Sequence, residues 1–577
     1  MSGVLRLIQN ETIKITRQVS WRIMTIILIV IVIGYPILVN LMSNLNRGYY
    51  SMDYEKAAQG ESSEILREYY LSKANTQKYF DEKGLTSENW QYTKFFHEYE
   101  YVCETMRGLE LIAEEGKSPY DVQQVFYVGA SREYDINGEL TENFRYVPYT
   151  FDTSTGEYIY EEEEKKFTVE AAAELLTEVR KEKKYIEEQI NSPFSEYIKQ
   201  NFNIRTEEIK AEYEAAKAQY EKDGDKLKDY DAARLKYEAA QKLNKALEKL
   251  IVFSDKLTGS EELTYIRILN QMNTYINYMP DSFSKLSEKE FNELNHGYGY
   301  YFFNLRYDDY DKYAEAVDIM QNELSQAEEL LAYSIENNLP IDYLTANSAR
   351  DALDSSLGIN MAVLMFFAIF MGAVIVSSEH SSGAVRLLLI RPRARWKILL
   401  SKLCCLIIFI VTMTVLTSVI SFIETIIIYG WNDLSIPYLM HSGTGVNEVA
   451  PILYYIYKNL VGILPSLLIM FFALFMSVAT KKSVFALAIS LLANVFGGAV
   501  SVWLYDVIRT SAQWLRLTPI PYFNLSDCFP DPIGSTMHWS TSALYGITLG
   551  QGAPIMLIYS VIIIAVTFVI FEKQQVK

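Results

Sequence analysis

The hydrophobic and polar positions divide this 577-residue chain into six long apolar runs and one long polar interval. Each run has about 20 residues or more, the length that a helix needs to cross roughly 30 Å of hydrocarbon. The predicted transmembrane helices are residues 23–42, 358–378, 397–429, 460–478, 484–504 and 553–571. The pattern therefore predicts a polytopic α-helical membrane protein.

Lysines and arginines near the ends of the apolar runs predict their orientation, because short cytoplasmic loops carry an excess of both. They concentrate before the first run, between the second and third, between the fourth and fifth, and after the last. The predicted cytoplasmic segments are residues 1–22, 379–396, 479–483 and 572–577. The predicted outer segments are residues 43–357 and 430–459, together with 505–552 as an extracellular or re-entrant segment. A composition rich in Lys, Glu, Ile and Tyr favours a bacterial cell membrane.

The segment before the first run has a helical pattern of its own. Five positions recur at helical spacing, namely Leu5, Ile8, Thr12, Ile15 and Val19. Charged side chains lie between them, and the candidate interfacial residues are Glu11, Lys14 and Arg17. This pattern is typical of a helix that lies in the membrane interface. The alternative is a positively charged flank that only sets the topology.

Residues 43–357 differ from the rest of the chain in composition and charge. They carry 62 acidic and 36 basic residues, a net charge of −26, whereas the remaining residues have a net charge of +8. Such a surface excludes nucleic acid as a partner. It attracts cationic peptides or metal cations, or is only a solvated face. Thirty-three of the 43 tyrosines lie here, where they serve packing or the binding of sugars and peptides.

The same interval is predicted to be a mostly helical extracellular domain with a small β region. Residues 206–250 have the narrow apolar seam of a coiled coil, interrupted at residues 223–225. The interruption indicates either a helical hairpin, which we favour, or a stammer in one rod. Flanking helices are predicted at Val169–Asn191 and Tyr310–Asn337. Short strands are predicted at Val122–Val128, Phe144–Val147 and Tyr158–Tyr160.

Residues suited to catalysis or metal binding are scarce. The five histidines are isolated, and no cysteine pair has the spacing of a metal site. We therefore predict neither a metal site nor an enzyme activity in this chain. Within the membrane the costly polar residues are Glu424 and Asn494. For Glu424 a role in a pathway and a structural role near the membrane surface both remain open, and Asn494 is predicted to form an interhelical hydrogen bond.

The segment between the second and third runs is the most specific part of the sequence. It reads SSEHSSGAVRLLLIRPRARWKILLSK from Ser377 to Lys402. A glycine permits a sharp bend, a short helix then presents two leucines, and a proline ends it. Arginines that follow can contact lipid phosphates or an acidic protein surface. The residues that carry this pattern are Glu379, Gly383, Arg386, Leu387, Leu388, Arg391 and Pro392.

The chain resembles the ABC-2 family of ATP-binding-cassette transporter permeases. The resemblance rests on NETIKITRQVSWR before the first run, EHSSGAVRLLLIRPRARWKILLSK after the second, TPIPYFNL before the last and FEKQQ at its end. It covers the six helices but not residues 43–357, and Ala384 stands where the family often has threonine. A large insertion at this place occurs in some sodium, antibiotic-resistance and peptide exporters of this type.

The resemblance implies a type V-like exporter fold and a division of labour between subunits. The coupling helix that meets a cytoplasmic ATPase would contain the seven residues named above, which lie between Glu379 and Pro392. Residues 1–22 would form the interfacial connecting helix. Two permeases, identical or related, would work with two ATPase subunits that bind ATP and magnesium. The cargo would be a peptide, an antibiotic, a lipid-like molecule or an ion.

Two alternatives give the chain a different task. The first is an ATPase-coupled mechanical or sensory device that acts on an envelope component or an extracellular peptide without moving cargo. The second is a membrane-anchored extracellular scaffold or adhesin. The scaffold leaves five of the six apolar runs and the arginine-rich segment without a role.

Overall fold

The structure is a computed structural model. It describes residues 2–17, 19–49, 53–134, 140–202, 204–222, 224–257, 259–295, 299–303, 305–339, 349–381, 395–442, 445–510, 512–523, 525–529 and 546–573. The segment 382–394, which holds Gly383, Arg386, Leu387, Leu388, Arg391 and Pro392, lies outside the described residues.

Two helices come first, followed by a domain inserted between the first and second apolar runs. The first two are α1 Ser2–Arg17 and α2 Val19–Tyr49. The helices of the inserted domain are α3 Tyr54–Gly60, α4 Glu64–Glu82, α5 Trp90–Ala113, α6 Pro119–Gln123, α7 Val169–Asn191, α8 Phe194–Asn201, α9 Thr206–Lys222, α10 Leu227–Phe253, α11 Ser260–Asn277, α12 Met279–Phe283, α13 Glu288–Asn295 and α14 Tyr310–Glu336. Its strands are β1 Ser131–Tyr134, β2 Leu140–Tyr146, β3 Tyr149–Asp152, β4 Glu157–Tyr160, β5 Lys165–Lys166, β6 Tyr300–Phe302 and β7 Leu305–Tyr307.

The remaining elements belong to the membrane part of the chain. The helices are α15 Ala349–Ser381, α16 Arg395–Tyr429, α17 Asn432–Ser435, α18 Pro451–Thr480, α19 Ser483–Thr510 and α20 Leu549–Lys573. A hairpin of β8 Tyr438–Ser442 and β9 Gly445–Val449 connects α17 to α18. Short 3₁₀ turns lie between α19 and α20, at Gln513–Leu517, Ile520–Tyr522 and Leu525–Cys528.

Six of the described helices are long and apolar enough to span a membrane: α2, α15, α16, α18, α19 and α20. They coincide with the six runs predicted from sequence, so the chain is a polytopic helical membrane protein. Both α15 and α18 lie largely inside the bundle, with 61% and 67% of their most apolar windows buried. Gly372 permits their contact, because an added Cβ would lie 2.5 Å from the carbonyl oxygen of Met470.

The segment between α19 and α20 packs into the bundle. Tyr522 is fully buried in a cluster with Leu468 of α18 and Met556 of α20. The ring of Phe523 faces Gly497, halfway along α19, where an added Cβ would lie 3.1 Å from the ring. The described residues of this segment therefore pack against α18, α19 and α20.

The inserted domain has its own hydrophobic core, built mainly from α5, α7, α10, α11 and α14. Helices α9 and α10 form an antiparallel hairpin closed by stacked tyrosines, with ring centroids 5.2 Å apart for Tyr213 and Tyr237 and 5.0 Å apart for Tyr220 and Tyr230. The structure therefore has the hairpin rather than the continuous rod. Helix α7 has the predicted bounds, and α14 ends one residue before the predicted end.

The small β region consists of separate ribbons. Strands β1, β2 and β5 form an antiparallel sheet, while β3 pairs with β4 and β6 with β7. The predicted strands at Phe144–Val147 and Tyr158–Tyr160 correspond to β2 and β4. The predicted strand at Val122–Val128 was wrong, because Pro119 in the first turn starts helix α6 through Gln123 and Val122 is buried on that helix.

Candidate functional site: a buried charge cluster

A cluster of four charged side chains lies where α1, the end of α15 and the start of α16 meet. Glu11 and Lys14 come from α1, Glu379 from the last turn of α15, and Lys402 from the second turn of α16. Residues 382–394 connect the last two helices along the chain. Glu379 precedes and Lys402 follows this segment in the sequence. We call these four residues the charge cluster.

Lys402 is the centre of the charge cluster. Its Nζ lies 2.8 Å from Oε1 of Glu379 and 3.0 Å from Oε2 of Glu11, and it donates to the carbonyl oxygen of Ile375 at 3.4 Å. The ammonium of Lys14 donates to the same oxygen, Oε1 of Glu379. The charges alternate from Glu11 to Lys402 to Glu379 to Lys14, so their formal sum is zero.

Burial makes these contacts strong constraints on the helices. The side chains of Lys402 and Glu379 are 1% and 4% exposed, whereas those of Glu11 and Lys14 are 12% and 44% exposed. Removing one partner of a buried ion pair typically costs about 3–5 kcal/mol, because the other charge is left uncompensated. Any arrangement of the three helices that separates one of these buried charges from its partner is therefore penalised more than the loss of a surface ion pair would be.

Apolar and polar contacts hold α1 in place beside the charge cluster. Ile15 is 5% exposed, which agrees with the apolar face predicted for this helix. Trp21, at the start of α2, packs its ring against Phe367 of α15 and Phe409 of α16. A cavity of about 20 Å³, room for one water molecule, lies between Lys14, Trp21 and α15.

The structure brings together three residues that the sequence singled out and adds one that it did not. Glu11, Lys14 and Glu379 meet, whereas Arg17 is exposed on α1 and lies outside the charge cluster. The sequence pattern presents Lys402 only as one of the positive charges between the second and third runs, which predict the topology. The available signal was its place three residues beyond Leu399, inside an otherwise apolar helix, where a lysine needs a carboxylate.

The two intramembrane polar residues lie away from the charge cluster. Glu424 is near the far end of α16, and its Oε2 is buried without a hydrogen bond among the described residues. Asn494 lies within α19, and its Oδ1 likewise has no partner in the part of the chain that the structure describes.

Other polar residues join the central helices. Asn360 of α15 donates to Ser421 of α16 at 2.8 Å. Ser418 of α16 donates to Oδ1 of Asn459 of α18 at 2.5 Å. These hydrogen bonds connect three neighbouring membrane helices through residues that the sequence reasoning did not select. Within the described ranges no group of three or more His, Cys, Asp or Glu could hold a metal ion.

The fold defines a class of protein, a polytopic helical membrane protein whose described residues contain six membrane-spanning helices and a large domain between the first two. Within it, residues 319–576 match a family described as "Protein of unknown function (DUF2705)". The match begins in α14 and includes Glu379 and Lys402, whereas Glu11 and Lys14 precede it. No curated protein and no solved structure matches the chain.

Proposed function

We propose that this chain is the permease subunit of an ATP-binding-cassette transporter of the ABC-2 type. It exports a peptide, an antibiotic, a lipid-like molecule or an ion across a bacterial cell membrane. Separate ATPase subunits bind ATP and magnesium and hydrolyse the nucleotide, so the chain is a transport subunit rather than an enzyme. The complex contains two permeases, identical or related, and two ATPases, with both termini of this chain in the cytoplasm and the inserted domain outside.

The observation that supports this proposal is the charge cluster. A permease needs a place where movement of a cytoplasmic ATPase reaches several membrane helices together. Lys402 contacts both Glu379 and Glu11, so α15, α16 and α1 are tied to one another beside residues 382–394. A displacement of that segment is therefore shared by three helices. Binding of ATP by the partner changes the permease only as far as it favours one conformation over another.

The test is purification of the tagged full-length chain from its native host, with mass spectrometry and stoichiometry of the bound proteins. We expect a separate ATPase at two copies for two permeases. A variant with Arg386→Ala and Leu388→Ala should lose the ATPase. The matched control is Lys482→Ala, an exposed cation between α18 and α19, which should retain it. Recovery of no ATPase, under conditions that preserve other membrane complexes, would refute the proposal.

A second candidate is an ATPase-coupled mechanical or sensory device. Contacts between the inserted domain and the membrane part favour it. Tyr333 of α14 donates to Glu448 of β9 at 2.9 Å, and Leu330 of α14 shares an apolar cluster with Leu439 of β8. Reconstitution into vesicles separates the two candidates, since a transporter accumulates cargo during ATP hydrolysis whereas the device hydrolyses ATP without net cargo movement.

A further inference from the structure

The inserted domain contains a tyrosine-lined cavity of about 420 Å³, within the size range of small-molecule and side-chain sites. Helices α5 and α7 form one side of it, and the β2–β3 connection and β4 form the other. Six tyrosines line it: Tyr101, Tyr127, Tyr146, Tyr149, Tyr158 and Tyr160. The cavity therefore combines a volume of about 420 Å³ with an aromatic lining.

Tyrosine rings contact one another around the cavity. Tyr149 has its centroid 5.3 Å from that of Tyr158 and 5.8 Å from that of Tyr160, and Tyr101 lies 6.0 Å from Tyr127. Tyr158 and Tyr160 share one face of β4, because alternate residues of a strand point the same way. Four of the six lining tyrosines are between 42% and 61% exposed, whereas Tyr146 is buried in the core of the domain.

A buried carboxylate lies behind these rings. Glu182 of α7 is 6% exposed and accepts a hydrogen bond from the hydroxyl of Tyr158. Burial raises the pKa of Glu182, because the surrounding protein gives its charge little solvation. No lysine or arginine forms a salt bridge with Glu182 among the pairs found in the described residues. A cation that enters the cavity would supply the missing counter-charge.

An exposed glutamate, Glu164, lines the cavity. It belongs to a run of four exposed glutamates, residues 161–164, that follows β4, and Glu161 of this run forms an ion pair with Lys165 at 2.6 Å. Arg145 lines the cavity as well. Because the whole interval 43–357 carries a net charge of −26, its field concentrates cations near the cavity.

We propose that this cavity binds an alkylammonium or guanidinium group, the side chain of a lysine or arginine in a peptide or a free amine of that kind. The tyrosine faces attract the cation through their ring quadrupoles. Glu182 pairs with it in the interior, and Glu164 attracts it from solvent. The site uses residues of the inserted domain alone. Its test is therefore independent of the proposed coupling to an ATPase.

Binding of blocked lysine to the purified full-length protein, in nanodiscs and without ATP, tests the proposal. The probes are Nα-acetyl-lysine N-methylamide and its uncharged isostere Nα-acetyl-norleucine N-methylamide, measured by calorimetry and by saturation-transfer NMR. We expect the lysine probe to bind at least about tenfold more tightly than the norleucine probe. A blocked Ala-Ala-Lys-Ala-Ala peptide and n-butylamine identify the source, since a peptide site favours the former and an amine site binds both equally.

Two pairs of variants locate the site. Glu182→Gln should weaken the lysine probe at least about tenfold, whereas Glu178→Gln, one turn earlier on α7, should leave it unchanged. Gln at 178 keeps an acceptor for the backbone N–H of Phe151, which Glu178 binds at 2.9 Å. Tyr160→Leu removes an exposed aromatic face and should also weaken binding, while Tyr160→Phe retains it.

Three results would overturn the proposal. The first is equal binding of the lysine and norleucine probes, or binding of neither. The second is lysine binding that survives both Glu182→Gln and Tyr160→Leu. The third is binding of a neutral saccharide at this cavity without preference for a cation.

Discussion

Replacing Glu379 by glutamine removes one carboxylate from the charge cluster without changing its shape. Lys402 then keeps Glu11 at 3.0 Å and the carbonyl of Ile375, but loses its closest anionic partner at 2.8 Å. Breaking a buried ion pair costs about 3–5 kcal/mol, and we expect about 3 kcal/mol because Glu11 remains. Thermal unfolding of the full-length protein in detergent should therefore shift down by several degrees.

A double variant distinguishes lost pairing from lost packing. Glu379→Gln with Lys402→Met removes both buried charges and replaces them with neutral side chains of similar volume. Such replacement of a buried pair is often neutral or stabilising, so the double variant should unfold at a higher temperature than Glu379→Gln alone. The control is Lys14→Gln, because the Lys14 side chain is 44% exposed and its loss should cost about 1 kcal/mol or less.

Two outcomes would refute this reasoning. Equal shifts for Glu379→Gln and Lys14→Gln would mean that burial does not determine the strength of these contacts. The single variant Lys402→Met completes the comparison. If the double variant loses as much stability as Glu379→Gln and Lys402→Met lose together, Glu379 and Lys402 contribute independently.

Two further changes test other parts of the molecule. Gly372→Ala should separate α15 from α18 and cost about 1–3 kcal/mol in thermal unfolding, because its Cβ would meet the Met470 carbonyl at 2.5 Å; Gly358→Ala in the same helix meets no atom within 4 Å and should cost nothing. Burial raises the pKa of Glu328 to about 7, so its contribution to stability, present at acidic pH, is lost as the pH rises through 7. The wild type and Glu328→Gln are melted at pH 5 and pH 8, and the variant should lose about 3 kcal/mol less stability over that range. Glutamine leaves Lys242, which lies 2.9 Å from Glu328, with a polar partner. An unchanged pH dependence would contradict this prediction.

Sequence periodicity was sufficient to predict the elements that bury one regular set of apolar positions. The six spans are recognisable because lipid requires long apolar helices. Helix α7 matches its predicted bounds, Val169–Asn191, because Thr168 caps its start and its apolar positions keep a helical period. The break in register of the two seams indicated a hairpin or a stammer, and the packing of α9 against α10 shows the hairpin.

Contacts between residues that lie far apart in the sequence were harder to predict. The place of Lys402 in an apolar helix indicates that it needs a carboxylate but not which one, because its partners lie 23 and 391 residues away in sequence. The strand predicted around Val122 failed because one proline, Pro119, starts a helix despite the β-rich composition of so short a segment. The tyrosine cavity likewise combines α5, β4 and α7, so only part of it, the sequence YIYEEEE, is visible in the chain.

Helix α14 connects the inserted domain to the bundle in two ways. It precedes α15 along the chain, and it also contacts the β8–β9 hairpin between α17 and α18. Glu329 lies 3.0 Å from His441, and Tyr333 donates to Glu448 at 2.9 Å, so the hairpin is held at points one helical turn apart. A rotation of α14 about its axis would have to break both contacts or carry the hairpin with it. Because the hairpin leads directly into α18, which packs along α15, a rearrangement of the inserted domain that turns α14 acts on two central membrane helices together.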